Sequence, residues 1–322
     1  MKKPARPARW AVQTVMLGIL AAAAIVVVQG LDERWTQWIS DHRWPQAVKF
    51  MVRSLFEGEG FGGGDPVVLF LLAAVIGYYI AWKRPGSRMG PLRAQLGFVL
   101  SSAIVWALGL VHALKWSIGR ARPYQVLYGE DPFTAWYEFG PHFVSEGVYH
   151  GSFPSGHTAQ AALLLTLAYL LAGAFGDRPW GRSAAWSWGA LGLCLTAAMG
   201  MAQVMSLSHW LTDVIAGLFL TWIGIHLTYH LVLRVPDQTA FFRRADRWPQ
   251  APEGWELRLS AWLVVLLAGA AAAVLGIRAL FRPQEPVFVP LLPLGAAVFF
   301  VSLYMARGAR RRALQELDGP GE

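Results

Sequence analysis

The chain has 322 residues, of which 55% are hydrophobic and 15% charged, whereas soluble domains carry about 25% charged residues. Its formal net charge is +8, but the basic residues lie between apolar segments and at the two ends, which indicates membrane topology rather than nucleic-acid binding. The single cysteine, Cys194, excludes an intrachain disulfide and a cysteine-ligated zinc or iron–sulfur centre.

Apolar segments dominate the chain, and a helix needs about 20 such residues to cross a bilayer. The sequence predicts an all-α, polytopic membrane bundle with eight spans. These cover roughly residues 10–30, 66–82, 94–114, 157–175, 187–205, 209–233, 260–280 and 287–306. The first segment begins like a signal peptide but runs to Val28 without a clear cleavage site before Asp32, so we interpret it as a retained helix.

Between the first two spans, residues 33–56 alternate aromatic and charged residues at roughly helical spacing. This pattern is typical of a helix that lies in the membrane interface.

Basic residues in the short connections predict the orientation of the bundle, because such loops stay in the cytoplasm. Both termini and the connections after spans two and six are therefore predicted to be cytoplasmic. The residues concerned are Lys2, Lys3, Arg6, Arg9, Lys83, Arg84, Arg88, Arg93, Arg234, Arg243, Arg244, Arg247, Arg258, Arg307, Arg310, Arg311 and Arg312.

The same pattern predicts the organisation of the chain in four parts. Residues 1–233 form a membrane core, 234–259 a cytoplasmic connection, 260–306 a C-terminal transmembrane hairpin and 307–322 a basic tail.

Three polar clusters lie at helix ends on the predicted outer side. Polar and charged groups in a membrane span cost free energy, so such clusters indicate a functional site. Lys115 and Arg122 follow the third span and form the first cluster. An arginine grips a phosphate with a planar fork, whereas a lysine acts as a point charge. The alternative interpretation is a basic loop at the headgroup surface.

The second cluster, Pro154-Ser155-Gly156-His157, opens the fourth span. The start of a helix offers free backbone N–H groups to an anion, and Gly156 permits close approach. Ser155 can cap the helix and donate a hydrogen bond, and His157 can act as a general acid. A plain helix cap with an interfacial histidine is the alternative.

The third cluster contains His209 and Asp213, which are four residues apart and therefore share a helix face. A carboxylate that orients one ring nitrogen makes the other a better nucleophile. Asp213 lies about one turn inside the span, where an unpaired charge is costly, so the sequence predicts that it pairs with His209.

The order and spacing of these clusters resemble the type 2 phosphatidic acid phosphatase superfamily, which includes the vanadium haloperoxidases. The family's first motif, a lysine, six residues and Arg-Pro, matches Lys115 to Pro123, and its second matches residues 154–157 in full. The histidine and aspartate of its third motif match His209 and Asp213.

The resemblance implies a six-helix membrane core and a two-step reaction without a metal or other cofactor. His209 attacks phosphorus while Asp213 orients its ring, and His157 protonates the leaving oxygen and then activates water. The resemblance also implies phosphate binding by Lys115, Arg122, Ser155 and Gly156.

The third motif departs from the family pattern, which has Ser-Arg where this chain has Ala202 and Gln203. Gln203 can donate hydrogen bonds to a phosphate but brings no charge, so transition-state stabilisation should be weaker unless another cation substitutes. Arg120 is the candidate for that cation, and a solvated loop arginine is its alternative. An impaired enzyme or a changed substrate is the alternative for the whole site.

Together these features predict a membrane lipid phosphatase at the outer face of a bacterial inner membrane, acting on a phosphomonoester or diphosphate. Undecaprenyl diphosphate is the first choice of substrate, with phosphatidic acid, phosphatidylglycerophosphate and lipid A phosphate as rivals. The sequence is also compatible with phosphoryl transfer to another lipid, and with a non-catalytic transporter or scaffold. The expected partners are the lipid and the bilayer, without nucleic acid. The sequence assigns no role to His142 and His150.

Overall fold

The computed structural model describes residues 9–57, 66–147, 150–245 and 254–317. These residues form fourteen α-helices and no β-strand. The helices are α1 Arg9–Gln29, α2 Asp32–Asp41, α3 Pro45–Lys49, α4 Pro66–Lys83, α5 Arg93–Ser102, α6 Val111–Ile118, α7 Pro123–Leu127, α8 Gly156–Ala162, α9 Leu165–Phe175, α10 Pro179–Met205, α11 Leu211–Leu227, α12 Val235–Ala245, α13 Trp255–Leu280 and α14 Leu291–Leu314.

Eight helical segments in the described part of the chain are long and apolar enough to span a membrane, which confirms the predicted multi-pass, all-α fold. Five of these segments are several residues longer than predicted, namely the third and the fifth to eighth. The third runs over Gly90–Leu127, because α6 continues to Ile118 and α7 follows it, while a π-helical segment, Ala103–Leu110, joins α5 to α6. The fifth begins at Pro179 rather than near residue 187, since a proline in the first helical turn loses no hydrogen bond there.

The interfacial segment between the first two spans forms two helices rather than one. The chain leaves α2 after Asp41 and enters α3 at Pro45, because a proline disfavours helical backbone in the residue before it. Trp38 is 58% exposed, whereas Ile39 is buried and packs against Val204 and Val214. An apolar side thus faces the bundle while tryptophan remains at the surface, as expected for a helix at a membrane interface.

Some residues used for the predicted orientation lie outside the described residues, namely Lys2, Lys3, Arg6 and Arg247. The basic C-terminal segment is helical as far as Leu314, and Arg310 donates to the carbonyl oxygens of Leu231 and Val232.

Hydrogen bonds join three segments at one end of the bundle, which we call the site end. The backbone N–H of Ser155 donates to Asp213 O at 2.9 Å, and this ties the start of α8 to the start of α11. The ammonium of Lys115, near the end of α6, donates to Gly151 O at 2.8 Å. Gly217 allows α8 and α11 to approach closely, since a Cβ there would lie 2.6 Å from Ser155 O.

The C-terminal hairpin, α13 and α14, is attached to the second and third spans at one end and to the third span at the other. Far from the site end, Tyr78 Oη donates to the buried carboxylate of Glu256 at 2.8 Å, and Arg93 Nε lies 3.7 Å from the same group. At the site end, Arg278 Nη1 donates to Ser117 O at 2.7 Å. The hairpin is therefore anchored to the span that carries Lys115.

Arg278 and Arg282 also hold the loop that follows α7. Arg278 Nη2 donates to Gly140 O and His142 O, each at 3.0 Å. Arg282 donates to Pro141 O at 2.6 Å and to Gly140 O at 2.7 Å. A charged donor satisfies these carbonyl groups more strongly than a neutral one would, so the hairpin fixes the loop against α6.

Candidate active site

One cavity of about 500 Å³ at the site end contains residues from all three motifs. Its lining residues with polar side chains are His112, Lys115, Arg122, His157, Gln160, Gln203, Ser208 and His209. The remaining lining residues are Gly156 and the apolar residues Val68, Leu71, Ala103, Ala107, Leu108, Val111 and Leu163. Segments that are far apart in sequence thus converge, and both His157 and His209 face one space.

Two basic side chains, Lys115 and Arg122, line the cavity. Lys115 is 7% exposed, and its ammonium donates to the carbonyl oxygens of Gly151 and Ser152 at 2.8 and 3.3 Å. The guanidinium of Arg122 donates to Ser208 O at 3.3 Å. None of the described residues that line the cavity is acidic. The arrangement therefore favours an anion over a hard metal cation, which would need carboxylate ligands.

At the start of α8, the four residues of the second motif have different surroundings. Gly156 and His157 line the cavity. Ser155 is fully buried and is not among the lining residues; its Oγ accepts from Thr158 N at 3.4 Å and from Thr158 Oγ1 at 2.9 Å. Ser155 therefore caps α8, which was one of its two predicted roles, and it does not face the cavity.

His209 lies in the turn between α10 and α11, outside both spans, and its ring is next to the buried carboxylate of Asp213. Its Nδ1 lies 3.7 Å from Asp213 Oδ2, which is longer than a hydrogen bond but within reach of a small side-chain rotation. Because Asp213 faces Nδ1, the other ring nitrogen, Nε2, is the one available for nucleophilic attack. Burial lowers the pKa of His209 to about 3, against the opposing effect of Asp213. The imidazole is therefore neutral near pH 7.

Arg120 does not line the cavity, in contrast to the phosphate-binding role considered from the sequence. Its side chain is fully buried, and Nη1 donates to Asp213 Oδ1 at 2.7 Å while Nη2 donates to Asp32 Oδ2 at 3.0 Å. Nε donates to Thr134 O at 2.8 Å. Two carboxylates and a carbonyl thus engage the guanidinium, so we assign Arg120 to the positioning of Asp213 rather than to phosphate binding. It is also not a solvated loop arginine.

Gln203, which replaces the family arginine, lies on the cavity wall and is 3% exposed. Its side-chain amide donates to Met199 Sδ at 3.6 Å, a weak contact that an oxyanion can replace. Its main-chain carbonyl accepts from Ser208 N at 3.1 Å and His209 N at 3.3 Å. Gln203 therefore supports the turn that presents His209.

Asp32 and Thr212 complete the buried network and were not assigned from the sequence. Asp32 is 1% exposed and accepts hydrogen bonds from both the backbone N–H and the hydroxyl of Thr212. No local pattern indicates this pairing, because 180 positions separate the two residues. The position of an aspartate directly after an apolar span is the one signal that the sequence offered. Gln160, Ser208 and His112 also line the cavity without having been assigned from the sequence.

Comparisons with known proteins bear on this site. Residues 94–237, which include all three motifs, match the sequence model of the PAP2 superfamily, and this confirms the resemblance seen in the motifs. A lipid A 1-phosphatase from Porphyromonas gingivalis is 30% identical over 149 residues, which is 41% of this chain and 26% of the relative. The match thus spans about a quarter of that curated relative. No solved structure matches the chain.

Proposed function

We propose, from the premise that residues 94–237 belong to the PAP2 superfamily, that this protein is a membrane lipid phosphatase with a histidine nucleophile. The observation that carries the proposal is the single cavity in which Lys115 and Arg122 face the same space as His157 and His209. Fixed cations near the reacting phosphorus stabilise the charge that develops on its oxygens, as metal ions do in other phosphoryl-transfer enzymes.

The proposed reaction has two displacements. Nε2 of neutral His209 attacks phosphorus, the bond to the leaving oxygen breaks, and His157 gives that oxygen its proton. His157 then takes a proton from water, the water oxygen attacks phosphorus, and the phosphorus–nitrogen bond breaks to release inorganic phosphate. Asp213 holds the Nδ1 side of His209 throughout and stabilises the positive charge that the ring acquires.

The apolar part of the cavity supports a lipid as the substrate. Ala103, Ala107 and Val111 precede Lys115 on the same span and line the cavity together with Val68 and Leu71 of α4. With a rise of about 1.5 Å per residue, this lining extends about 18 Å from Lys115 toward the middle of the span. A hydrocarbon chain can lie along it while the phosphate occupies the cationic end.

Undecaprenyl diphosphate remains our proposed substrate, on the ground of the family resemblance. The similarity to a protein named lipid A 1-phosphatase gives a specific reason to test lipid A 1-phosphate beside it. Both carry a phosphate on an amphiphile, as the cavity requires. When the terminal phosphorus of the diphosphate is attacked, the group that leaves is itself a phosphate, which is not so for lipid A 1-phosphate. The rates of phosphate release from the two lipids therefore show which one the site prefers.

We further propose that the site end faces the periplasm or outside of a bacterial-type inner membrane. The basic residues that follow α4 and α11 lie at the opposite end of the spans from Lys115 and His209. They include Lys83, Arg84, Arg88 and Arg234. Basic connections of this kind stay in the cytoplasm.

The proposal is tested by phosphate release from a panel of purified lipid phosphates, with the full chain in detergent or nanodiscs. We expect turnover by the wild type to change less than threefold in EDTA and to be abolished in His209→Ala. A wild type that turns over none of the lipids would favour the non-catalytic transporter or scaffold. Complete dependence on added metal would contradict the proposed mechanism.

A further inference from the structure

A second group of polar side chains lies at the site end, outside the cavity described above. His142, Glu146 and His150 each direct one potential metal ligand into a common space, and these three atoms all lie within 4.8 Å of one another. His142 Nδ1 is 2.6 Å from Glu146 Oε2, and His150 Nδ1 is 4.0 Å from the same oxygen. His142 is buried, whereas Glu146 and His150 are exposed, so an ion can reach the group from solvent.

The ligand types and distances suit a zinc-like ion. Imidazole nitrogens bind Zn²⁺ at about 2.0–2.1 Å and carboxylate oxygens at about 2.0–2.2 Å, which places tetrahedral ligand atoms about 3.4 Å apart. The pair at 2.6 Å would have to open and the pair at 4.0 Å to close, each by less than 1 Å. Small rotations of exposed side chains achieve such shifts without moving the backbone.

A second carboxylate, that of Asp131, lies beside His142 at ion-pair distance without a hydrogen bond between them. Its Oδ2 lies 3.2 Å from His142 Nε2, the ring nitrogen that faces away from Glu146. A carboxylate on the far nitrogen of a ligating histidine fixes its tautomer and strengthens it as a ligand, and such carboxylate–histidine pairs are common around zinc. His142 thus has a carboxylate near each ring nitrogen, and a bound ion would take the place of the hydrogen bond between its Nδ1 and Glu146.

Gly147 lies close to the ring of His150. Gly147 has a φ of 133°, which residues with a side chain rarely adopt. A Cβ on Gly147 would lie 2.9 Å from His150 Cδ2, so only glycine permits the ring to approach this closely.

The geometry points to a binding site for one divalent, zinc-like cation, with His142, Glu146 and His150 as protein ligands and water completing the coordination. The ion binds outside the catalytic cavity and takes no part in the displacement at phosphorus. The assignment depends only on these side chains and holds whether or not the chain is a phosphatase.

The position of the site gives the ion a structural role. His150 directly precedes Gly151, whose carbonyl accepts the hydrogen bond from Lys115. Residues of both groups, His142, His150, Lys115 and Gly151, also line one small pocket between them. An ion that ties His150 to His142 therefore restrains the loop that holds Lys115 in place.

The test titrates Zn²⁺ into the full chain after EDTA has been applied and removed, by calorimetry and by thermal unfolding. We expect one Zn²⁺ per chain, a rise of several degrees in the unfolding temperature, and the visible absorption of tetrahedral Co²⁺ when cobalt is used instead. His150→Ala and Glu146→Gln should each weaken Zn²⁺ binding at least tenfold and abolish the rise. His42→Ala, which removes another exposed histidine, is the matched control and should behave like the wild type.

Equal Zn²⁺ affinity in the wild type and in both ligand variants would overturn the assignment. So would a wild type that binds no stoichiometric Zn²⁺. In either case His142 is only a histidine held between the carboxylates of Asp131 and Glu146, without a bound ion. Neither result depends on phosphate release, so neither would count against the proposed phosphatase activity.

Discussion

At the residue scale, Asp213 is constrained on both of its carboxylate oxygens. Oδ1 accepts from Arg120 at 2.7 Å, and Oδ2 accepts from the backbone N–H of Trp210 at 2.9 Å while it faces His209. A buried carboxylate that kept only His209 as a partner would be poorly compensated. Arg120 therefore stabilises the charge of Asp213 and holds its carboxylate toward His209. Asp32 in turn holds the guanidinium of Arg120 in place.

Arg120→Lys separates this positioning role from direct phosphate binding. A lysine retains the charge but lacks the planar fork, so it cannot bridge both Asp32 and Asp213. We expect kcat to fall at least tenfold while KM stays within threefold, as measured by steady-state phosphate release. Arg43→Lys, at an exposed arginine, is the control. A rise in KM with kcat unchanged would instead place Arg120 on the substrate.

The ionisation of His209 gives a second prediction at this scale. Its pKa of about 3 means that the folded protein binds a proton there only well below pH 5, whereas an ordinary histidine does so near 6.5. We expect the His209 imidazole signal, assigned in labelled protein by its loss in His209→Gln, not to titrate between pH 5 and 8. A midpoint near 6.5 would show that the ring is solvated and not held as a neutral nucleophile.

At the element scale, the C-terminal hairpin acts as a brace for the site rather than as an appendage. It lies outside the segment that matches the superfamily, yet Arg278 and Arg282 satisfy carbonyl groups on α6 and on the loop at residues 140–142. The same loop contains His142 of the proposed cation site. The hairpin thus supports both Lys115 and the loop beside it.

Arg278→Met tests this brace. The substitution leaves buried carbonyl groups without a donor, and each lost hydrogen bond to a charged group is worth about 1.5–3 kcal/mol. We expect the unfolding temperature to fall by several degrees, with a smaller loss of phosphate release. Arg258→Met, near the other end of the same helix and exposed, should leave both unchanged. Equal effects of the two substitutions would exclude a specific role for Arg278.

The sequence predicted the spans and the three motifs because both depend on local patterns, namely runs of apolar residues and short polar motifs at helix ends. It did not predict the pairing of Arg120 with Asp32, which depends on how α2 packs against α11. It also missed Arg278, because an arginine near the end of a span is equally expected to point toward the headgroups. The π-helical segment that lines the cavity likewise has no sequence signal that we recognise.

At the scale of the whole molecule, the three motifs and the basic connections after α4 and α11 lie at opposite ends of the spans. The hydrogen bonds of Arg310 to Leu231 and Val232 place the C-terminal end of α14 beside the end of the sixth span, away from His209. The proposed orientation thus assigns the motifs to one side of the membrane and the basic connections to the other.

Cysteine labelling in intact cells tests the orientation. In a Cys194→Ser background, Tyr137→Cys lies on an exposed loop position at the site end, and Arg88→Cys lies on the connection after α4. We expect a membrane-impermeant maleimide to label the first from outside and the second only after permeabilisation. The reverse pattern would place the site in the cytoplasm.

The most direct test of the proposed nucleophile is to trap the phosphorylated protein. The full chain is mixed with a lipid phosphate that it hydrolyses, quenched in base within milliseconds and analysed by peptide mass spectrometry, because phosphohistidine survives base. We predict a phosphoryl group on the peptide that contains His209, and on no peptide of His209→Ala. Turnover that leaves His209 unmodified, with the phosphoryl group on another residue, would contradict the assignment of His209.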